Sequence, residues 1–230
     1  MTDQELELRY DDMWAQSYQK LKQEEYYIDP NLKKRDDRMG ITLRLSFGDD
    51  PLAQIDEFQD ELKSICPEQY HYSQQALHMT VLSVISCSVN NDLIQLQNYQ
   101  TYVDVIQEVL KDEKPFRIRH QGLTLGNAGL LIQGFPEADA LNLLREKLRV
   151  AIHQSGVYHT LDTRYKIWSA HSTVMRYRER LVDRNAYLAF LEKSKSREFG
   201  VTTVGRLELV INDWCHSPEQ TEMCASWELK

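Results

Sequence analysis

Two histidines in this chain are each followed two positions later by a threonine. The first lies in Ala76-Leu77-His78-Met79-Thr80-Val81-Leu82-Ser83-Val84, the second in Ala170-His171-Ser172-Thr173-Val174-Met175-Arg176-Tyr177. Both are His-x-Thr-Val, and both sit in alternating or β-branched runs that favour strands. Residues i and i+2 of a strand share a face, so His78 goes with Thr80 and His171 with Thr173. If those faces meet, two imidazoles and two hydroxyls share one space. A histidine titrates near pH ~6.5, so such a pair can hold one neutral and one protonated ring at neutral pH. That suits in-line displacement at phosphorus. One ring takes a proton from the attacking oxygen and the other gives one to the leaving oxygen, each contributing about 10²–10⁴-fold. The hydroxyls can donate to the non-bridging oxygens as charge develops on them. The scheme requires no metal and no cofactor.

Strand alternation adds one neighbour. Tyr177 falls on the His171 side and is the candidate cleft residue, whereas Arg176 falls on the other side. The remaining histidines, His71, His120, His153, His159 and His216, have no repeated context and read as structural. A metal held by the two motif histidines lacks a third ligand at a recognisable spacing. Tyr70, Tyr72, Tyr165 and Trp168 could stack on a base or pack in the core. Arg117 and Arg119 alternate with Phe116 and Ile118 as a solvated sheet face, and the mixed charges at 33–38 read as solvated.

Positioning these residues takes a set of alternating elements. Residues 3–27 carry a helical stripe of Leu6, Tyr10, Met13, Ser17 and Leu21, widened by Trp14 and Tyr18. With the charged segment to residue 38, this forms an N-terminal helical extension, 1–38, expected to pack on the core. A single domain over 39–229 follows. Ile41–Phe47 alternates as a strand. Asp50 at the N-cap and Pro51 at the first helical position open a helix ended by Pro67. The first motif strand, 76–86, comes next, then a turn at Asn90-Asn91-Asp92 and a helix over 93–110. A hairpin of 116–125 and 129–135 turns at Gly126-Asn127. A helix over 137–154 ends at Gly156 and leads to the second motif strand, 170–177. Asp183 caps a helix to about Lys193, strands occupy 201–211, and 224–229 forms a last strand. Each motif strand follows a helix. The order predicts an α+β fold: a bilobal, duplicated unit whose two antiparallel sheets flank a central cleft, with helices outside.

The chain's 230 residues and 42% hydrophobic content fit one globular domain with a sizeable core. The net charge of -8 repels polyanions, which argues against binding long duplex nucleic acid while leaving room for a small nucleotide or an RNA end. Cys66, Cys87, Cys215 and Cys224 form no Cys-x-x-Cys pair and read as reduced thiols of a cytosolic protein. No signal segment or membrane span is expected. The spacing says nothing of oligomeric state.

Two His-x-Thr-hydrophobic motifs about one lobe apart resemble the 2H phosphoesterase superfamily, which includes the 2′,5′ RNA ligase-like proteins and the RNA 2′,3′-cyclic phosphodiesterases. The resemblance covers about residues 40–229, and the N-terminal extension departs from compact members. It implies a bilobal fold with one motif from each lobe. It implies His78 and His171 as the acid/base pair and Thr80 and Thr173 as the phosphate holders. It also implies a role for Arg176, since an arginine often follows the second motif at this offset. The expected substrate is a cyclic phosphate or a 2′-5′ phosphodiester of a small nucleotide or RNA end. The rival readings are an RNA 2′-5′ ligase and a nucleotide-binding or sensing protein with little turnover.

Overall fold

The computed structural model describes residues 1–89 and 99–230. The expected turn at Asn90-Asn91-Asp92 and the first part of the expected 93–110 helix lie outside the described residues. Among the described residues the α-helices are α1 (Asp3–Lys22), α2 (Asp49–Ile65), α3 (Gln100–Leu110), α4 (Ala140–Ser155) and α5 (Arg184–Ser194). The strands are β1 (Met39–Leu45), β2 (Tyr70–His71), β3 (Met79–Ser88), β4 (Phe116–Gly126), β5 (Gly129–Pro136), β6 (Ser172–Arg176), β7 (Glu198–Val204), β8 (Arg206–Asp213) and β9 (Glu222–Glu228). Among the described residues, no helix is long and apolar enough to cross a membrane.

Local chemistry explains most boundaries, including two that differ from the sequence expectation. Helix α1 ends at Lys22 rather than near residue 27, because Glu24 takes a left-handed conformation (φ 61°) that an α-helix cannot contain. Helix α2 starts earlier than expected. Gly48 is its N-cap and Pro51 its third residue, where a missing N–H costs nothing because the first four have no helical partner. Asp183 does cap α5, accepting from the Ala186 amide at 2.9 Å.

The strands form two antiparallel sheets, an α+β fold as expected. One has the order β3-β1-β8-β9, the other β2-β6-β5-β4-β7. The sheets are not the two halves of the sequence. Strands β8 and β9 return from the C-terminus to complete the first sheet, and β2 leaves the first half to edge the second. The helices cross over too. Helix α2, which leads to the first motif, packs on β7 and α5. Helix α4, which leads to the second motif, packs on β3 and α3. The exchange lets one continuous core run through both sheets, with Leu43, Val81, Leu125 and Val174 all fully buried in it. It also puts a helix behind each motif strand that belongs to the other motif's half of the chain.

Residues 1–38 are bound tightly into this arrangement. Helix α1 lies on β4 and β5. Its Tyr10 is fully buried; the hydroxyl donates to the Gly134 carbonyl at 3.1 Å and accepts from the Ala170 amide at 3.2 Å. The Thr124 hydroxyl donates to the Tyr10 carbonyl at 2.9 Å. Farther on, the Asp29 amide donates to the Tyr177 carbonyl, and the Arg38 guanidinium pairs with Asp29 and Asp36.

Candidate active site

Both motif strands carry a β-bulge at the same place. Opposite β1, Thr80 pairs with Arg44 and Leu82 with Leu43, leaving Val81 without a partner position. Opposite β5, Thr173 pairs with Leu131 and Met175 with Leu130, leaving Val174 extra. Each bulged residue is the valine of His-x-Thr-Val, and each is fully buried. A bulge inserts one residue and shifts the facing of everything beyond it. The cleft side therefore runs His171, Thr173, Arg176 on one strand and His78, Thr80, Ser83 on the other. This reverses the side assignment expected from strict alternation: Arg176 lines the cleft. Tyr177 is buried in the core beside Tyr26 and Tyr187 and does not line it. Neither valine looks unusual in the sequence, so alternation alone could not find this.

A bulge also leaves backbone groups to satisfy, and buried ones must find partners. Two buried polar side chains do this in parallel. Gln59 of α2 donates to the Val174 carbonyl at 3.0 Å and to the Tyr72 carbonyl at 2.9 Å. Arg145 of α4 donates to the Val81 carbonyl at 2.8 Å, the Thr80 carbonyl at 2.7 Å and the Ser169 carbonyl at 2.9 Å. Arg145 thus ties the first motif to the residue two places before His171. It also donates to Asn142 Oδ1 at 3.0 Å, and among the described residues the guanidinium hydrogen-bonds no carboxylate. Burial pushes it down to about 9, which still leaves it cationic at neutral pH.

Both histidines sit just before the first residue of their strand and face the same cleft of about 690 Å³. Each ring is held through Nδ1 by the residue two positions earlier: His78 to the Ala76 carbonyl at 2.7 Å, His171 to Ser169 Oγ at 2.6 Å. A carbonyl only accepts, so His78 Nδ1 carries a proton and its Nε2 is bare when the ring is neutral. The serine hydroxyl can donate or accept, leaving His171 free to present either form of Nε2. Burial pushes His78 down to about 3, with the Arg44, Arg176 and His171 charges acting the same way against the Ala76 carbonyl. Burial, Arg145 and Arg176 push His171 down to about 4. Thr80 and Thr173 line the cleft, and their hydroxyls make no hydrogen bond among the described residues.

Three further residues line the end of the cleft that holds the two motif histidines, and two of them, Trp214 and His216, lie outside the site expected from the sequence. Arg176 is oriented by donating from Nε to the Tyr72 hydroxyl at 2.7 Å, and its guanidinium lies 5.3 Å from the Trp214 ring centroid. His216, expected to be structural, stacks on His78 with ring centroids 3.6 Å apart and lines the cleft. Its Nε2 lies 3.0 Å from Asn212 Nδ2. The available signal was the dense run Asn212-Asp213-Trp214-Cys215-His216 at the end of β8.

The other candidates separate cleanly. His120 is buried against Thr202 and Phe47, His71 bonds the Cys66 carbonyl, and His153 and His159 meet edge-on away from the cleft. Tyr72, Tyr165 and Trp168 line the cleft and Tyr70 does not. The Trp168 ring is already covered by Arg9 and Tyr10. Arg117 and Arg119 pair with Glu137 and Asp3 on the outer face. Among the described residues, no group of three or more His, Cys, Asp or Glu side chains is placed to hold a metal ion.

No protein-family model matches the chain, and no curated protein matches its sequence. Solved structures do match its shape. TT0787 of Thermus thermophilus superposes with a TM-score of 0.62 at 16% identity, over 83% of this chain and 97% of that one. A crystal structure of a phosphoesterase gives 0.57 at 12%, over 84% and 99%. E. coli LigT complexed with 3′-AMP gives 0.55 at 11%, again over 84% and 99%. The chain has the fold of these proteins. With the fold shared and sequence identity this low, the functional argument rests on the cleft itself.

Proposed function

We propose that this chain is a 2H-type phosphoesterase. It acts on a cyclic phosphate or a 2′-5′ phosphodiester of a small nucleotide or RNA end. The observation that carries this reading is the convergence of two His-x-Thr-Val motifs, each bulged at its valine, on one cleft. Two structural neighbours, a phosphoesterase and a LigT that binds 3′-AMP, support it by fold. The phosphate sits between the two strands, with the free Thr80 and Thr173 hydroxyls and Arg176 on its non-bridging oxygens. Bare Nε2 suits His78 to take the proton of the attacking water. His171 in its protonated form, with Nδ1–H donating to Ser169 Oγ, gives its Nε2 proton to the leaving oxygen. Both rings are neutral before the anion arrives; the anion favours a proton on His171, while His78 stays neutral and serves as the base.

The test is turnover of 2′,3′-cyclic nucleotides and 2′-5′ oligonucleotides in the presence of EDTA. Turnover should persist, and His78→Ala and His171→Ala should each lose about 10²–10⁴-fold in kcat while retaining the folded circular dichroism spectrum. Full activity in either variant, or complete loss on chelation, would overturn the mechanism. A 2′-5′ product formed from paired RNA ends would favour ligation instead.

A further inference from the structure

Trp214 carries three guanidinium groups on one indole: Arg38 at 4.8 Å from the ring centroid, and Arg164 and Arg176 each at 5.3 Å. They differ in one respect. Arg38 is neutralised by Asp29 and Asp36 and does not line the cleft. Arg164 and Arg176 line it, and neither has a carboxylate partner among the described residues. Arg176 is oriented by the Tyr72 hydroxyl, and Arg164 by donating to the Cys87 carbonyl at 2.9 Å. The unneutralised cations are thus the two turned to the cleft, in a chain whose net charge is -8.

The two serve different positions. The Arg176 charge acts on both His78 and His171, whereas that of Arg164 is felt at Cys87, farther along the cleft. Because both guanidinium carbons lie 5.3 Å from one ring centroid, they are no farther apart than twice that distance. A separation within that limit can accommodate two phosphates of one nucleoside, one on the 2′ or 3′ side and one on the 5′ side. A guanidinium without a counter-ion presents a planar fork of donors that matches phosphate oxygens. The exposed ring of Tyr165 flanks Arg164 on the cleft, as does Lys166, whose ammonium pairs with Glu146 at 2.8 Å. The geometry points to a second phosphate subsite at Arg164, so that the preferred substrate is a nucleotide or oligonucleotide end bearing a further phosphate one position from the reacting one. This rests on the phosphoesterase reading for the placement of the first phosphate.

The experiment is calorimetric titration, at one fixed salt concentration, with adenosine 3′-monophosphate and adenosine 3′,5′-bisphosphate, together with turnover of a 2′,3′-cyclic nucleotide with and without a 5′-phosphate. The wild-type protein should bind the bisphosphate at least tenfold more tightly. Arg164→Ala should bring that ratio near one with little change for the monophosphate. Equal wild-type affinities, weakening of both ligands alike by Arg164→Ala, or binding of neither ligand would overturn the subsite. Turnover without preference for the 5′-phosphate would do the same and leave the phosphoesterase reading standing. Discrimination in binding with no turnover would sustain the subsite and remove that reading.

Discussion

Replacing Arg145 tests whether the helix behind the first motif sets the chemistry of the second. Arg145→Met keeps much of the apolar bulk and removes the charge and the donors. It strands the buried carbonyls of Val81 and Ser169 and the part-buried carbonyl of Thr80. Each orphaned buried acceptor costs roughly 1–3 kcal/mol. Against that stands the desolvation of a buried guanidinium that hydrogen-bonds no carboxylate, a cost the methionine removes. The two offset in part, and a net loss of about 2–4 kcal/mol is expected, which a domain with roughly 5–15 kcal/mol of stability survives. Activity should suffer more. Arg145 fixes the first motif against the segment that enters the second, and a displacement of about 1 Å at reacting groups can cost ~10²-fold. The field changes as well. Arg145 is one of the charges holding His171 down, so His171 should titrate at higher pH in Arg145→Met. Arg145→Lys restores the charge without the fork, so it should recover the His171 titration and only part of the rate. Steady-state kinetics with histidine titration by NMR reads both effects. A folded Arg145→Met protein with unchanged kcat/KM and unchanged His171 titration would refute the reasoning.

Three other outcomes follow from the same geometry. A Cβ on Gly134 would lie 2.1 Å from the Ala170 carbonyl, next to His171; Gly134→Ala should lower Tm by several degrees and cut kcat, and a silent substitution would show that the approach of β5 to residue 170 does not position the ring. Burial holds His120 at about 3, so between that value and ~6.5 the unfolded chain binds a proton the folded chain does not, and stability falls as pH drops through that window; by linkage His120→Gln should remove roughly 1–2 kcal/mol of the loss between pH 7 and pH 5 in urea titrations, and an unchanged slope would refute it. Because His78 and His171 are neutral in the empty cleft, phosphate binding should take up protons and tighten from pH 7 to pH 5, which calorimetry in buffers of differing ionisation enthalpy measures; proton release would contradict the assigned states.

The side on which the motif residues face was more legible in the sequence than their surroundings were. His78, Thr80, His171 and Thr173 could be read because spacing by two survives up to the bulge, and both bulges lie beyond the threonine. Arg176 could not be placed by alternation, because the extra Val174 intervenes. The α+β class and most helices follow from periodicity, yet the strand exchange between halves does not: β8 and β9 have ordinary alternating patterns that fit either sheet. Gln59 and Arg145 look like polar positions in amphipathic helices, and only the crossover of α2 and α4 explains their burial. His216 stands alone in sequence and meets His78 because β8 returns to the first sheet and the chain turns through a left-handed residue at φ 53°.

The asymmetry between the two braces bears on how an acidic chain can hold an anion. Gln59 and Arg145 satisfy equivalent bulges, and a neutral amide suffices for one of them. The other uses a guanidinium buried without a hydrogen-bonded carboxylate, which is expensive to desolvate if hydrogen bonding were its only task. It lies behind the first motif strand, and its charge and that of Arg176 both act on His171. A fixed cation in a low-dielectric setting acts on phosphate more strongly than a solvated one. The cost of burying Arg145 is therefore partly recovered when phosphate binds. Inorganic phosphate should accordingly raise Tm more in the wild-type protein than in Arg145→Met, by an amount set by the ratio of their affinities. Equal stabilisation of the two proteins would mean that Arg145 serves the backbone alone.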